Sequence, residues 1–117
     1  MYNYTIPSNL KSWLDHIAVP RFNVDPRTNT GALTGKKLIV ATSRGGSYAP
    51  GTPRESFDQQ EPYLRTFFTA YGADGDLTFL HTEMTLSTVV PDLAAFKDIF
   101  DRSRETAHAT ARELATA

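Results

Sequence analysis

Cysteine is absent from the 117 residues, so no disulfide framework, thiol nucleophile or thiolate metal site can be built from this chain. Its absence is compatible with a cytoplasmic setting. An excess of either charge is also missing. Twelve basic residues face 13 acidic ones, for a formal net charge of −1, which excludes the basic footprint of a nucleic-acid binder. No apolar run approaches the roughly 20 residues of a membrane-spanning helix, and no charged-then-apolar leader pattern opens the chain. Internal repeats and low-complexity tracts are lacking too. The three histidines, His16, His81 and His108, are too scattered for metal-ligand spacing, and no Ser/His/Asp order suggests a triad. We therefore expect no metal, no nucleic-acid partner and no membrane. What remains is an ordinary composition, 40% hydrophobic, long enough for one domain with one core.

The pattern along the chain is helix, strand, helix, strand, helix. Met1 to Pro7 reads as loop. Ser8 is placed to cap a helix whose apolar stripe is Leu10, Trp13, Leu14 and Ile17, closed by Pro20. Arg21 to Thr34 has no periodicity and reads as one long loop. Leu38 to Thr42 is a short apolar run suited to a strand buried on both faces. Asp58 and Glu61 form a capping-box-like pair before a helix with Leu64, Phe67, Phe68 and Tyr71 on its inner face and Gly72 just past its end. Leu77 to Leu80 is the second strand. Pro91 and Asp92 start a last helix with the stripe Leu93, Phe96, Ile99, Phe100 and Ala107, and its Ala/Arg/Glu-rich end is expected to fray. Strands alternating with helices predict an α/β protein with a parallel sheet.

In such sheets ligands bind beyond the carboxyl ends of the strands. Ser43-Arg44-Gly45-Gly46, followed by Ser47 and Tyr48, occupies that position. Its glycines allow close approach of backbone amides to a flat ligand, although spacing alone equally fits a plain turn. Met1-Tyr2-Asn3-Tyr4 supplies two aromatic rings and a thioether that could pack on a planar apolar ring, or simply cover core surface. His81 falls near the same end of the sheet, where a structural role is expected of it. His16, His108, Asp74, Asp76, Asp98 and Asp101 read as solvated surface. No side chain is assigned as a catalytic residue.

Taken together, these segments resemble FMN-dependent NADH-azoreductases and NAD(P)H quinone reductases of flavodoxin-like fold. Residues 1–17 are similar to the family stretch P-M-Y-N-F-x-I-P-x-x-L-K-x-W-I-D-x-I. Ser43-Arg44-Gly45-Gly46 with Tyr48 resembles the family loop after the fourth strand, and Glu61-Pro62-Tyr63-Leu64 its E-x-Y-L helix start. Tyr4 stands where Phe is usual. Glu83 aligns with a family Glu, and Met84 stands where Gly is usual, a change that should alter the local turn.

The resemblance implies an FMN-dependent oxidoreductase that takes electrons from NAD(P)H and reduces a quinone or azo compound by two-step hydride transfer through FMN, as a cytoplasmic homodimer. It implies flavin contacts from Met1, Tyr2, Asn3, Tyr4, Ser43, Arg44, Gly45 and Gly46, and a substrate pocket shaped near Phe22. It covers only the C-terminal portion of the family pattern: two strands and three helices of an incomplete flavodoxin-like sheet, without the half bearing the phosphate loop. Residues 1–117 are thus expected to be one part of an FMN-binding domain, inactive alone. The alternative is a non-catalytic remnant or interaction fragment stabilised by oligomerisation. Either way, a two-stranded sheet is marginal by itself, and helix faces lacking their strands should expose apolar surface.

Overall fold

The computed structural model describes residues 1–19, 23–73 and 75–117. Among the described residues, three helices and a parallel pair of strands follow one another in the expected order, with a small hairpin and short 3₁₀ turns between them. Pro20 and Phe22 lie outside the described residues, as does Asp74.

Helix α1 spans Ser8–Ile17. Its N-cap is Pro7 rather than Ser8, and no side chain bonds to the cap. The proline ring fixes φ at −68° with ψ at 154°. Its carbonyl already accepts the first helical bond, from Lys11 N–H at 3.1 Å, which leaves Ser8 inside the helix. Of the predicted stripe, Leu14 is fully buried, Leu10 is half-buried, and Trp13 and Ile17 are 57% and 40% exposed.

The stretch expected to be one loop contains a hairpin. Strands β1 (Val24–Asp25) and β2 (Thr30–Gly31) pair antiparallel, Val24 opposite Gly31 and Asp25 opposite Thr30. Side-chain chemistry that periodicity does not report closes it. Asp25 Oδ1 accepts from Arg27 N–H at 2.8 Å, and Asn29 takes a positive φ of 53°, two habits of Asx residues in turns. Gly31 is needed here, because a Cβ on it would lie 2.2 Å from the Tyr71 carbonyl oxygen.

Strand β3 spans Leu38–Ser43 and β4 Leu77–Thr82. Leu38 N–H donates to the Asp76 carbonyl at 2.9 Å and Arg44 N–H to the Thr82 carbonyl at 2.8 Å. The partners advance in the same direction on both chains, so the pair is parallel. Burial corrects one expectation. Along β3 half-buried and exposed residues alternate, and Ile39 is 47% exposed. An apolar run suited to two covered faces therefore has one covered and one open.

Helix α2 runs Glu61–Ala70, later than an Asp58 cap would start it. Asp58 still serves its entry: Oδ1 accepts from the N–H of Gln60 (2.9 Å) and of Glu61 (3.2 Å). Pro62 in the first turn sets where regular helix begins. The exit is as expected. Gly72 has φ +94°, its N–H reaches the Thr69 carbonyl, and Ala73 N–H reaches that of Phe68, both at 3.0 Å, the bond pair of a Schellman motif.

The last helical segment opens as 3₁₀ over Pro91–Phe96 and becomes α3 over Lys97–Thr116. It is regular to Thr116 rather than frayed, and none of its residues is fully buried.

Two compact units emerge. One comprises Met1, Val40–Phe57 and Phe79–Ala117; the other comprises Tyr2–Ile39 and Asp58–Thr78. The first buries Tyr48 and Met84 with the polar residues Arg44, Glu83 and Ser87; the second buries Ile6, Leu14, Leu64 and Ala73 with Gln60. Among the described residues no helix is long and apolar enough to cross a membrane.

Candidate functional site

The first unit places the double-glycine loop beyond the end of β3. Arg44 leaves the strand with its N–H on Thr82, and every following carbonyl of the loop is then taken. Thr85 N–H and Thr85 Oγ1 donate to the Arg44 carbonyl, each at 3.0 Å; Leu86 N–H donates to Gly45 at 3.3 Å and Met84 N–H to Gly46 at 3.0 Å. With its carbonyls turned to residues 84–86, the loop has spare donors. The N–H groups of Gly45, Gly46 and Ser47 have no acceptor among the described residues. Consecutive donors of this kind form a concavity for negative or carbonyl-like oxygen. Met1 belongs to the same unit, and its nitrogen donates to the Ser43 carbonyl.

Beneath the loop lies Glu83, 7% exposed, against Arg44, 1% exposed. Its carboxylate accepts from Ser47 Oγ at 2.7 Å and Tyr48 N–H at 2.9 Å, with Arg44 Nη1 at 3.5 Å. A buried carboxylate is tolerated only with such partners. Met84 follows with φ 54° and ψ 32°, the left-handed region that disfavours any side chain. The turn therefore keeps a conformation natural to Gly, and Met84 carries the strain. The Arg44 guanidinium also sits 5.9 Å from the Tyr48 ring centre. Gly45 has a local cause as well, since a Cβ there would lie 2.9 Å from Leu86 Cδ1.

The second unit holds the opening segment. Tyr2 N–H donates to the Thr5 carbonyl at 2.9 Å, and Thr5 N–H returns to Tyr2 at 3.1 Å. Between them Asn3 and Tyr4 have φ 46° and 68°, the positive pair that a type I′ turn requires. Asn accepts this conformation readily; Tyr does not. The turn is anchored by Gln59 N–H on the Tyr4 carbonyl (2.9 Å) and Thr5 Oγ1 on the Gln59 carbonyl (3.2 Å). Tyr2 and Tyr4 remain 67% and 44% exposed, so their rings present apolar area rather than covering a core. A mostly apolar hollow of about 510 Å³ is lined by Tyr2, Asn3, Thr5, Ile6, Ser8, Lys11 and Tyr63. Its cation, Lys11, lies 2.6 Å from both Asp15 oxygens, and that hydrogen bond raises its pKa above the usual lysine value.

Met1 and Ser43–Gly46 are thus brought together, and Tyr2–Tyr4 form one strained turn. The Phe22 assignment lies outside the described residues. His81 has a structural partner: its Nδ1 is 2.6 Å from Thr42 Oγ1 across the strand pair. His16 Nδ1 meets the Ser12 carbonyl within its own helix at 2.7 Å. Among the described residues no cluster of His, Cys, Asp or Glu could hold a metal ion. Sequence reading gave no role to Ser47 or Glu83. The resemblance did align Glu83, but its partners lie 35 to 39 positions away, beyond any local spacing rule.

Comparison with known proteins gives this geometry its setting. A profile described as flavodoxin-like fold matches residues 1–109. The chain belongs to the flavodoxin-like family. This flavodoxin-like chain is 50% identical over 117 residues to an FMN-dependent NADH:quinone oxidoreductase of Parafrankia sp. (strain EAN1pec), covering 100% of itself and 55% of that relative. It is 49% identical over 112 residues to the enzyme of the same description from Frankia casuarinae, covering 96% and 53%. Two solved structures share its fold. An azoreductase from Bacillus anthracis str. Sterne superposes with a TM-score of 0.71 at 24% identity, over 96% of this chain and 52% of that one. An FMN-dependent NADH-azoreductase from Bacillus anthracis str. Ames Ancestor, in complex with FMN, gives 0.64 at 23%, over 95% and 52%. The flavodoxin-like chain spans about half the length of the curated relatives it matches.

Proposed function

We propose that this chain is the flavin-edge portion of an FMN-dependent NADH:quinone oxidoreductase that also reduces azo compounds. The observation that carries the reading is the run of amides at Gly45, Gly46 and Ser47, whose loop carbonyls are all satisfied while its N–H groups have no acceptor among the described residues. Bound FMN would supply the two-electron relay between NADH and the acceptor. The protein's own part is to bind and orient the ring. The Gly45–Ser47 amides offer donors to its polar edge, with Ser43 and Arg44 leading into them from β3. Met1, Tyr2 and Tyr4 offer soft apolar area to its face, and Asn3 a polar contact beside it. No side-chain nucleophile is required.

The similarity to the Parafrankia and Frankia relatives supports this reading, as does the extent of the match. We place residues 1–117 as the C-terminal part of one FMN-binding domain, in a cytoplasmic homodimer. The test is a titration of the chain with FMN, following flavin fluorescence and NADH consumption with a benzoquinone acceptor. It is repeated after adding a polypeptide carrying the part of the Parafrankia relative that this chain does not cover. Fluorescence quenching and NADH turnover in the supplemented mixture are expected. No response in either arm would end the catalytic reading.

A further inference from the structure

We propose that Glu83 is the positioning residue of the double-glycine loop, holding the Gly45, Gly46 and Ser47 amides in register for the polar edge of a bound flavin. The proposal rests on the flavin reading for its ligand, and on the geometry of this unit for everything else.

Two grips come from one residue. Through its side chain, Glu83 takes Ser47 Oγ (2.7 Å) and Tyr48 N–H (2.9 Å), fixing the far end of the loop, and faces the Arg44 guanidinium (3.5 Å) at the near end. Through the backbone that follows it, Met84, Thr85 and Leu86 donate to the carbonyls of Gly46, Arg44 and Gly45. The position of Glu83 is itself fixed, because its N–H donates to Ser103 Oγ on α3 at 2.9 Å. The loop's three free donors therefore sit between two ends tied to one buried carboxylate and a carbonyl row tied to the turn just after it. A pair of glycines left alone would sample many conformations. Ordering them before the ligand arrives removes that cost from binding. Burial sharpens the effect, since the carboxylate exchanges few of its bonds with water.

The test uses the full chain, isotopically labelled, with two variants. Glu83→Gln keeps the shape but removes the charge that Arg44 faces, and its NH₂ either opposes the Arg44 and Tyr48 donors or turns to the Ser47 hydroxyl as a weaker neutral bond. Ser103→Ala releases the Glu83 backbone without disturbing the buried charge. Amide hydrogen exchange without ligand is the first readout. Glu83→Gln should speed exchange about tenfold, relative to β4 amides, at Tyr48, Met84, Thr85 and Leu86, whose N–H groups are bonded to the carboxylate or to the loop carbonyls, the effect of losing about one charge-assisted hydrogen bond. Ser103→Ala should act at the same amides in the same direction and more weakly. The second readout is FMN titration followed at the Gly45, Gly46 and Ser47 amides, with the polypeptide covering the remainder of the Parafrankia relative added, and binding to Glu83→Gln weakened about tenfold.

Unchanged exchange at Tyr48 and at Met84, Thr85 and Leu86 in Ser103→Ala and Glu83→Gln, or a uniform rise across the whole unit, overturns the proposal; should Glu83→Gln fail to fold, Ser103→Ala decides alone. If exchange responds locally while FMN leaves the wild-type amides unmoved, Glu83 does position the loop and it is the flavin reading that fails.

Discussion

Met84 shows what a single residue can carry. Its φ of 54° belongs to glycine, yet its side chain is 7% exposed, so backbone strain and side-chain burial oppose each other at one position. Burying a methionine is worth about 1.5–3 kcal/mol, and a side chain in the left-handed region costs about 1 kcal/mol or somewhat more. Burial wins, which is how a family position where Gly is usual can hold Met. Two substitutions separate the terms. Met84→Ala loses the burial and keeps the strain, whereas Met84→Gly loses the burial and the strain together. We expect both to destabilise, with Gly more stable than Ala by about 1 kcal/mol. Urea unfolding of the two variants measures the difference, and Ala equal to or better than Gly would show that no strain is stored there. The Tyr2–Thr5 turn has the same character: Tyr4→Gly should stabilise the turn while removing the ring proposed to meet the flavin.

Element ends are where local chemistry decides stability. Gly72 ends α2 with φ +94°, and a Cβ there would lie 2.5 Å from Thr34 Oγ1 and 3.1 Å from Gly31 Cα. Gly72→Ala should therefore cost about 1–3 kcal/mol, with backbone strain and crowding adding. A denaturation midpoint unchanged within error would contradict this. The β1–β2 hairpin supplies a pH test. The Arg27 backbone N–H, followed by the Arg27 side chain, lowers the pKa of Asp25 below its ordinary 3.8. A depressed carboxylate pKa favours the fold above the unfolded-state value and loses that contribution as pH falls through the folded-state value. Hairpin amides at Asn29 and Ala32, bonded to the Asp25 and Asn23 carbonyls, should then lose exchange protection as pH drops below about 4, once intrinsic exchange rates are corrected. The Asp25→Asn variant should lack that pH-dependent step while retaining the Asx turn.

At the scale of the whole chain, apolar exposure dominates. Trp13, Ile39, Phe57, Val89 and Phe96 are between 46% and 73% exposed, and among the described residues the parallel sheet has two strands. Isolated exposed hydrophobics are ordinary, but a two-stranded sheet is marginal by itself. We expect concentration-dependent association in sedimentation velocity, strong binding of an apolar dye, and suppression of both by the polypeptide covering the remainder of the Parafrankia relative. A monomer at all concentrations that does not bind the dye would contradict the expectation.

Much of the element order was determined by sequence. Apolar periodicity marked α1 and α2, the runs at Leu38 and Leu77 marked the strands, and Gly72 marked a helix end, because these signals act over a few residues. The two segments proposed to meet a flavin were singled out through resemblance. Tertiary structure alone decided that Ser8 is not the cap, since Pro7 occupies that corner, and that a hairpin interrupts the stretch after α1. It alone opened one face of β3 and joined Glu83 to Arg44, Ser47 and Tyr48. Those outcomes depend on which distant groups desolvate one another, and burial of a carboxylate against partners some 35 to 39 positions earlier leaves no mark in local spacing.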